Sequence, residues 1–129
     1  MQFNPFIQYP PYINQHLANK LYSIIKRHSK LVIGVDFDNT IQDPANKYIY
    51  QDIAQLVKLA HSKGHIICIW TANSNPHIVE LILKYNNIPY DYFNNSPLMN
   101  NLRKPHFNLL LDDIAGLNET YHTLSHILG

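Results

Sequence analysis

Three apolar segments of this chain end in side chains that can bind metal ions, transfer protons or hold anions. These residues are Asp36, Asp38 and Thr40 after the first segment, Thr71 after the second, and Asp112 and Asp113 after the third, with Lys104 just ahead of the third segment. If the segments are neighbouring parallel strands, their carboxyl ends lie at one edge of a sheet, where active sites of such sheets form. We therefore predict an active site at that edge.

The carboxylates of this set indicate a divalent metal ion. Like charges at short range raise each other's pKa steeply, so Asp36, Asp38, Asp112 and Asp113 need a compensating cation if they meet. Carboxylate oxygens and water are the ligands that Mg²⁺ prefers. The threonine hydroxyl and the lysine are then available for phosphate oxygens. A carboxylate nucleophile, a neighbouring acid, Mg²⁺ and a phosphate clamp together predict phosphoryl transfer.

The elements around these residues predict an α/β fold. The strands are short, continuous apolar runs of the kind that is buried on both faces of a parallel sheet. They are Leu31–Val35, His65–Trp70 and Phe107–Leu111. Segments with helical spacing of apolar residues run from the cap Asn14 to about His28, over 51–63, from Pro76, and from the cap Asn118. This alternation predicts a single Rossmann-like domain with an open, mostly parallel sheet flanked by helices.

The flanking and connecting segments carry other signals. Residues 1–13 are rich in proline and aromatic residues, which block helix and central strand, so we expect an extended arm. The arm and first helix, residues 1–30, are predicted to pack on a catalytic domain formed by residues 31–129. The turn signal Asp43-Pro44 predicts a small hairpin or flap over 41–50, and 94–103 reads as a polar loop.

The motif residues resemble the haloacid dehalogenase (HAD) superfamily of phosphatases, in that family's order. Asp36-Phe37-Asp38-Asn39-Thr40 is similar to the first motif, Thr71 to the second, Lys104 to the third, and Asp112-Asp113 to the acidic fourth. The resemblance covers about residues 31–115. It implies that Asp36 attacks phosphorus and carries an aspartyl-phosphate, while Asp38 acts as acid and then as base. It also implies that Thr71 and Lys104 hold the phosphoryl group, and that Mg²⁺ is bound by Asp36, the backbone carbonyl of Asp38, Asp112 and Asp113.

The short connections predict a capless member of that family. Only a flap fits after Thr40, and only one helix, a short strand and a loop fit between Thr71 and Lys104. An open site of this kind suits a phosphorylated small molecule or the end of a macromolecule, or a lid supplied by a second subunit in a homo-oligomer. Arg103, beside Lys104, is a further residue that could meet the substrate.

Two other functions remain open on the same scaffold. A phosphotransferase would use the same residues and differ only in its acceptor. A non-catalytic interaction module would use the aromatic arm, although the presence of Asp36 and Asp38 argues against it. A response-regulator receiver is disfavoured. It needs its phospho-accepting aspartate at the end of the middle strand, where this chain has Trp70 and Thr71.

Composition narrows the classes of protein. The 129 residues carry a formal net charge of +1, so charge alone gives no indication of a nucleic-acid partner. No apolar run approaches the roughly 18 residues of a membrane span, and the N-terminus lacks the pattern of a secretory signal. We therefore expect no membrane partner and a cytoplasmic location. The single cysteine, Cys68, is predicted to be an inert core thiol, and Trp70 a core residue or pocket wall.

Overall fold

The computed structural model describes residues 13–99, 105–113 and 116–129, which form four helices and six strands. The helices are α1 (Gln15–His28), α2 (Gln51–Ser62), α3 (Pro76–Tyr85) and α4 (Leu117–Leu128). The strands are β1 (Val32–Asp36), β2 (Ile66–Trp70), β3 (Tyr92–Phe93), β4 (Leu98–Met99), β5 (Pro105–His106) and β6 (Leu109–Leu111). The predicted arm, residues 1–13, lies mostly outside these residues, so its extended structure stays a prediction. The predicted boundary at residue 30, between the N-terminal segment and the catalytic domain, also stays a prediction.

Four strands form an all-parallel sheet in the order β3-β2-β1-β6. The chain moves from β1 through β2 to β3 and then returns to place β6 on the other side of β1. The strand order therefore reverses between β1 and β6, which is where ligand sites of such sheets form. The prediction of an α/β fold with a parallel sheet flanked by helices is confirmed.

The sequence prediction differs from the structure between β3 and β6. Part of the segment predicted as a polar loop is β4, which pairs with β5 as a separate antiparallel ribbon. The third predicted strand, Phe107–Leu111, is shorter and begins at Leu109. Phe107 lies ahead of it, against the face of β1 at Gly34. Phe107 is an apolar residue that packs on the sheet and does not pair within it. A continuous apolar run therefore does not show at which residue strand pairing begins.

Side-chain caps set the starts of two helices as predicted. The Asn14 side chain accepts a hydrogen bond from the Leu17 N–H at 2.8 Å, and Asn75 caps α3 with Pro76 at its start. The prediction that Asn118 caps the last helix was wrong. Gly116 is the N-cap, at φ 74°, and Asn118 lies within the first turn. Glycine adopts that backbone conformation without strain, which explains the displaced start.

One hydrophobic core joins the sheet to all four helices. Ile33 and Val35 of β1 lie in it with Ile67 and Ile69 of β2, and every helix contributes buried side chains. The helix α1 also joins α4 by a hydrogen bond from the Asn14 N–H to Thr123 Oγ1, at 3.1 Å. Among the described residues, no helix is long and apolar enough to cross a membrane.

The buried His65 makes stability depend on pH. The Leu31 N–H donates to His65 Nδ1 at 2.9 Å, which requires an imidazole that is unprotonated at that nitrogen. Burial, with a smaller contribution from the charge of Lys63, lowers the pKa of His65 from its ordinary 6.5. The unfolded chain therefore takes up this proton at higher pH than the fold does. The stability from neutral His65 is fully present above pH 6.5 and is lost as pH falls toward the lowered value.

We expect His65→Gln to flatten this pH dependence. The free energy of unfolding would be measured in urea from about pH 8 to about pH 5, a range that spans histidine titration. Wild type should lose more stability than His65→Gln on acidification, because glutamine takes up no proton. All other titrating groups are common to both proteins, so equal slopes would contradict a role for His65.

Candidate active site

A tight turn after β1 places the first motif. The Phe37 carbonyl accepts hydrogen bonds from the N–H groups of Thr40, Ile41 and Gln42, at 3.3, 2.9 and 3.1 Å. Asn39 has a left-handed backbone (φ 64°), which asparagine tolerates better than most residues. The chain therefore folds back within four residues of the strand end, and Thr40 is fully buried beneath Asp36.

Thr40 connects the ends of β1 and β6. Its Oγ1 lies 3.5 Å from Asp36 Oδ2, at the limit of a hydrogen bond, and accepts the Asp113 N–H at 3.1 Å. One buried hydroxyl thus ties the turn after β1 to the segment after β6. The sequence showed only that Thr40 has the position of the motif threonine. In the structure, its hydroxyl fixes the spacing between the two acidic motifs.

Three of the four predicted carboxylates form a cluster. One carboxylate oxygen each from Asp36, Asp112 and Asp113 lie within 4.8 Å of one another. Asp36 and Asp112 are half-buried, whereas Asp113 is exposed. Burial first, and then the charges of Asp112 and Asp113, raise the pKa of Asp36 to about 6. A hydrogen bond from the Phe37 backbone acts in the opposite direction.

Asp38 lies beside this cluster. Its charge adds a smaller contribution to the raised pKa of Asp36. Its backbone is held by a bridge to Gln42, and its side chain is partly exposed. Asp38 thus lies near Asp36 and is partly exposed.

The flap predicted over 41–50 is present as a narrow loop. The Tyr50 N–H donates to the Ile41 carbonyl at 2.8 Å, and the Asp43 N–H donates to the Tyr48 carbonyl at 3.0 Å. Asp43 is the turn residue that the sequence predicted, since its carboxylate accepts the N–H groups of Ala45 and Asn46. A cavity of about 790 Å³ lies between the base of the flap and the start of α4, with Thr40 and Asp113 in its wall.

Thr71 lies at the same edge of the sheet, one residue beyond the register partner of Asp36. Its Oγ1 accepts the Asn73 N–H at 3.0 Å, and its own N–H donates to Asn94 Oδ1 at 2.8 Å. Asn94 also donates its N–H to the Ile69 carbonyl, at 2.7 Å. It therefore extends the pairing of β2 with β3 by a side chain. Sequence reasoning missed this role, because Asn94 is one of several asparagines in a polar segment.

The structure leaves part of the predicted site untested. Lys104 and its neighbour Arg103 lie outside the described residues. The role of Lys104 toward phosphate and the contact of Arg103 with the substrate therefore stay predictions. Cys68 is fully buried in β2, and burial raises the pKa of its thiol to about 11. This fits the predicted inert thiol.

Comparison of the chain with protein-family models, with curated proteins and with solved structures gives no match in any of the three. The resemblance to HAD phosphatases therefore depends on the four motif positions in the sequence and on how the fold arranges the three that lie within the described residues.

Proposed function

We propose that this protein is a Mg²⁺-dependent phosphatase that hydrolyses a phosphate monoester through an aspartyl-phosphate on Asp36. The observation that carries the proposal is the cluster of Asp36, Asp112 and Asp113 at the point where strand order reverses. A sheet edge of this type favours ligand binding, and the raised pKa of Asp36 is typical of functional carboxylates.

The carboxylate cluster fits a magnesium ion. Its donors are all oxygen. Burial first, and then repulsion from Asp112 and Asp113, raise the pKa of Asp36, and a divalent cation would oppose both effects by favouring the ionised carboxylate. Asp36, Asp112 and Asp113 would hold the ion, together with the backbone carbonyl of Asp38. When bound, Mg²⁺ supplies positive charge that offsets the repulsion between these carboxylates and a phosphate dianion.

The residues of the chain then divide the reaction into two displacements. In the first, a carboxylate oxygen of Asp36 forms a bond to phosphorus as the ester P–O bond breaks. Protonated Asp38 gives its proton to the leaving oxygen. In the second, Asp38 takes a proton from water as the water oxygen bonds to phosphorus. The bond from Asp36 to phosphorus breaks, inorganic phosphate leaves, and both carboxyl groups return to their first state.

Thr71 and Lys104 are assigned to the transferred phosphoryl group. The Thr71 hydroxyl oxygen already accepts the Asn73 N–H, which leaves its proton to donate to a phosphate oxygen. Between Thr71 and β5 the described residues form only α3, β3 and β4, which supports an open, capless site. We propose phosphorylated small molecules or macromolecule ends as the substrate class.

The proposal is tested by phosphate release from p-nitrophenyl phosphate with and without Mg²⁺. We expect turnover that is lost on chelation and restored by Mg²⁺. Folded protein that binds Mg²⁺ without releasing phosphate from this ester or from a panel of biological monoesters would contradict it. A product in which phosphate moves to an added alcohol rather than to water would assign the site to phosphotransfer.

Metal binding should also stabilise the fold. We expect Mg²⁺ at neutral pH to raise the melting temperature of wild type, because it binds the native cluster and not the unfolded chain. Asp112→Asn should reduce this increase strongly, since it removes one of the three clustered carboxylates. Glu80→Gln, on α3, should keep the full increase. Equal increases in all three proteins would place the metal elsewhere.

A further inference from the structure

Trp70 is the neighbour of the proposed nucleophile across the sheet. It is the last residue of β2, and its register partner on β1 is Asp36. Register partners on adjacent parallel strands direct their side chains to the same face, from backbones about 4.8 Å apart. The indole and the Asp36 carboxylate therefore leave the sheet side by side, at its carboxyl edge.

The indole is exposed, whereas the three residues before it in β2 are buried. Ile67, Cys68 and Ile69 are fully buried, whereas Trp70 is 38% exposed. The exposed part of this large aromatic side chain gains no stability from burial, because hydrophobic stabilisation grows with the apolar area that is removed from water. Trp70, the register partner of Asp36, thus keeps apolar surface that a ligand can contact.

Packing holds this indole in place. The Phe107 ring stands edge-on to Trp70, with centroids 6.2 Å apart and an interplanar angle of 64°. Phe107 in turn lies directly on Gly34, where an added Cβ would come within 2.6 Å of the ring. The row from Gly34 through Phe107 to Trp70 therefore fixes the aromatic surface before any ligand arrives, which lowers the entropy cost of binding.

We propose that Trp70 is a stacking surface for a planar leaving group, and that the substrates of this site are nucleotides. This inference depends on the proposed function, because it places the base beside the phosphate that Asp36 attacks. Stacking of a nucleobase on an aromatic side chain is sequence-tolerant, since every base has a π-face. The phosphate would lie at Asp36 and Thr71, with the sugar spanning the distance to the indole.

The single tryptophan of the chain makes this contact directly observable. Asp36→Asn protein with Mg²⁺ would be titrated with adenosine monophosphate, adenosine and glycerol 3-phosphate, with excitation selective for indole. We expect saturable quenching by adenosine monophosphate, weaker quenching by adenosine, and none by glycerol 3-phosphate. Equal quenching by both phosphates, or quenching by none of the three, would overturn the stacking proposal. This readout does not depend on turnover.

Kinetics of the active protein provide the second test. The ratio of kcat/KM for adenosine monophosphate to that for glycerol 3-phosphate should fall about tenfold in Trp70→Leu, the size of a lost stacking contact. Trp70→Phe should retain most of the ratio, which guards against a folding defect. Tyr85→Leu, at an 88% exposed aromatic on α3, is the matched control and should not change it. Turnover with an unchanged ratio in Trp70→Leu would overturn stacking and leave the phosphatase proposal standing.

Discussion

Asp36→Asn is expected to abolish Mg²⁺-dependent phosphate release, with kcat lowered by at least about 10³-fold, as for other nucleophile substitutions. The amide has the size of the carboxylate, but it cannot form an acyl phosphate and is a weaker metal ligand. Phosphate release would be measured at saturating Mg²⁺ over a range of ester concentrations. Glu80→Gln, the same chemical change on α3, should retain wild-type kinetics.

The stability of Asp36→Asn separates lost chemistry from lost folding. Because the pKa of Asp36 is raised to about 6, the fold disfavours its ionised form. That penalty is absent below the ordinary value of 3.8, grows as pH rises toward 6, and is full above it. Metal-free Asp36→Asn should thus melt no lower than wild type at neutral pH. Substantial remaining turnover in this well-folded variant would exclude Asp36 as the nucleophile.

Among these variants, Gly34→Ala should lower the free energy of unfolding most. We expect a loss of about 1–3 kcal/mol, the usual cost of overpacking a core. Gly34 lies in the central strand β1, paired on both sides, so its backbone has little freedom to move. A Cβ there would lie 2.6 Å from two atoms of the Phe107 ring. Urea unfolding would measure the loss. The displaced ring should also change the fluorescence of Trp70, its edge-on neighbour.

A double-mutant cycle with Phe107→Ala isolates this steric cause. Phe107→Ala alone should destabilise by removing the contact with Trp70, but it should also make room for the new methyl group. The two substitutions together should therefore cost less than the sum of their separate effects. Additive effects would show that alanine at position 34 destabilises the strand for another reason.

The features that the sequence predicted well are those with local signals. The apolar runs of β1 and β2 identify buried strands, and Asn14 and Pro76 mark helix starts, because capping depends on neighbouring residues only. The convergence of Asp36 with Asp112 and Asp113 was predictable because parallel strands align their carboxyl ends.

Other features depend on contacts between distant parts of the chain. The Thr40 hydroxyl reaches Asp113 across 73 positions, and nothing near Thr40 in the sequence indicates it. Asn94 extends the pairing of β2 with β3 through its side chain, and Phe107 packs on Gly34 instead of continuing β6. These arrangements follow from tertiary packing, which composition and periodicity do not encode.

The most direct test of the proposed mechanism is to detect the phosphoryl group on Asp36. Asp38→Asn should slow hydrolysis of the intermediate, because it removes the group that takes the proton from water. The variant would be mixed with Mg²⁺ and acetyl phosphate, whose leaving group needs little protonation, then quenched in acid, digested and analysed by mass spectrometry. We predict one phosphoryl group on the peptide that contains Asp36. The group should be absent from the double variant that carries both Asp36→Asn and Asp38→Asn. Phosphate release by wild type with no phosphorylated peptide, or with the phosphoryl group on another residue, would contradict the proposed mechanism.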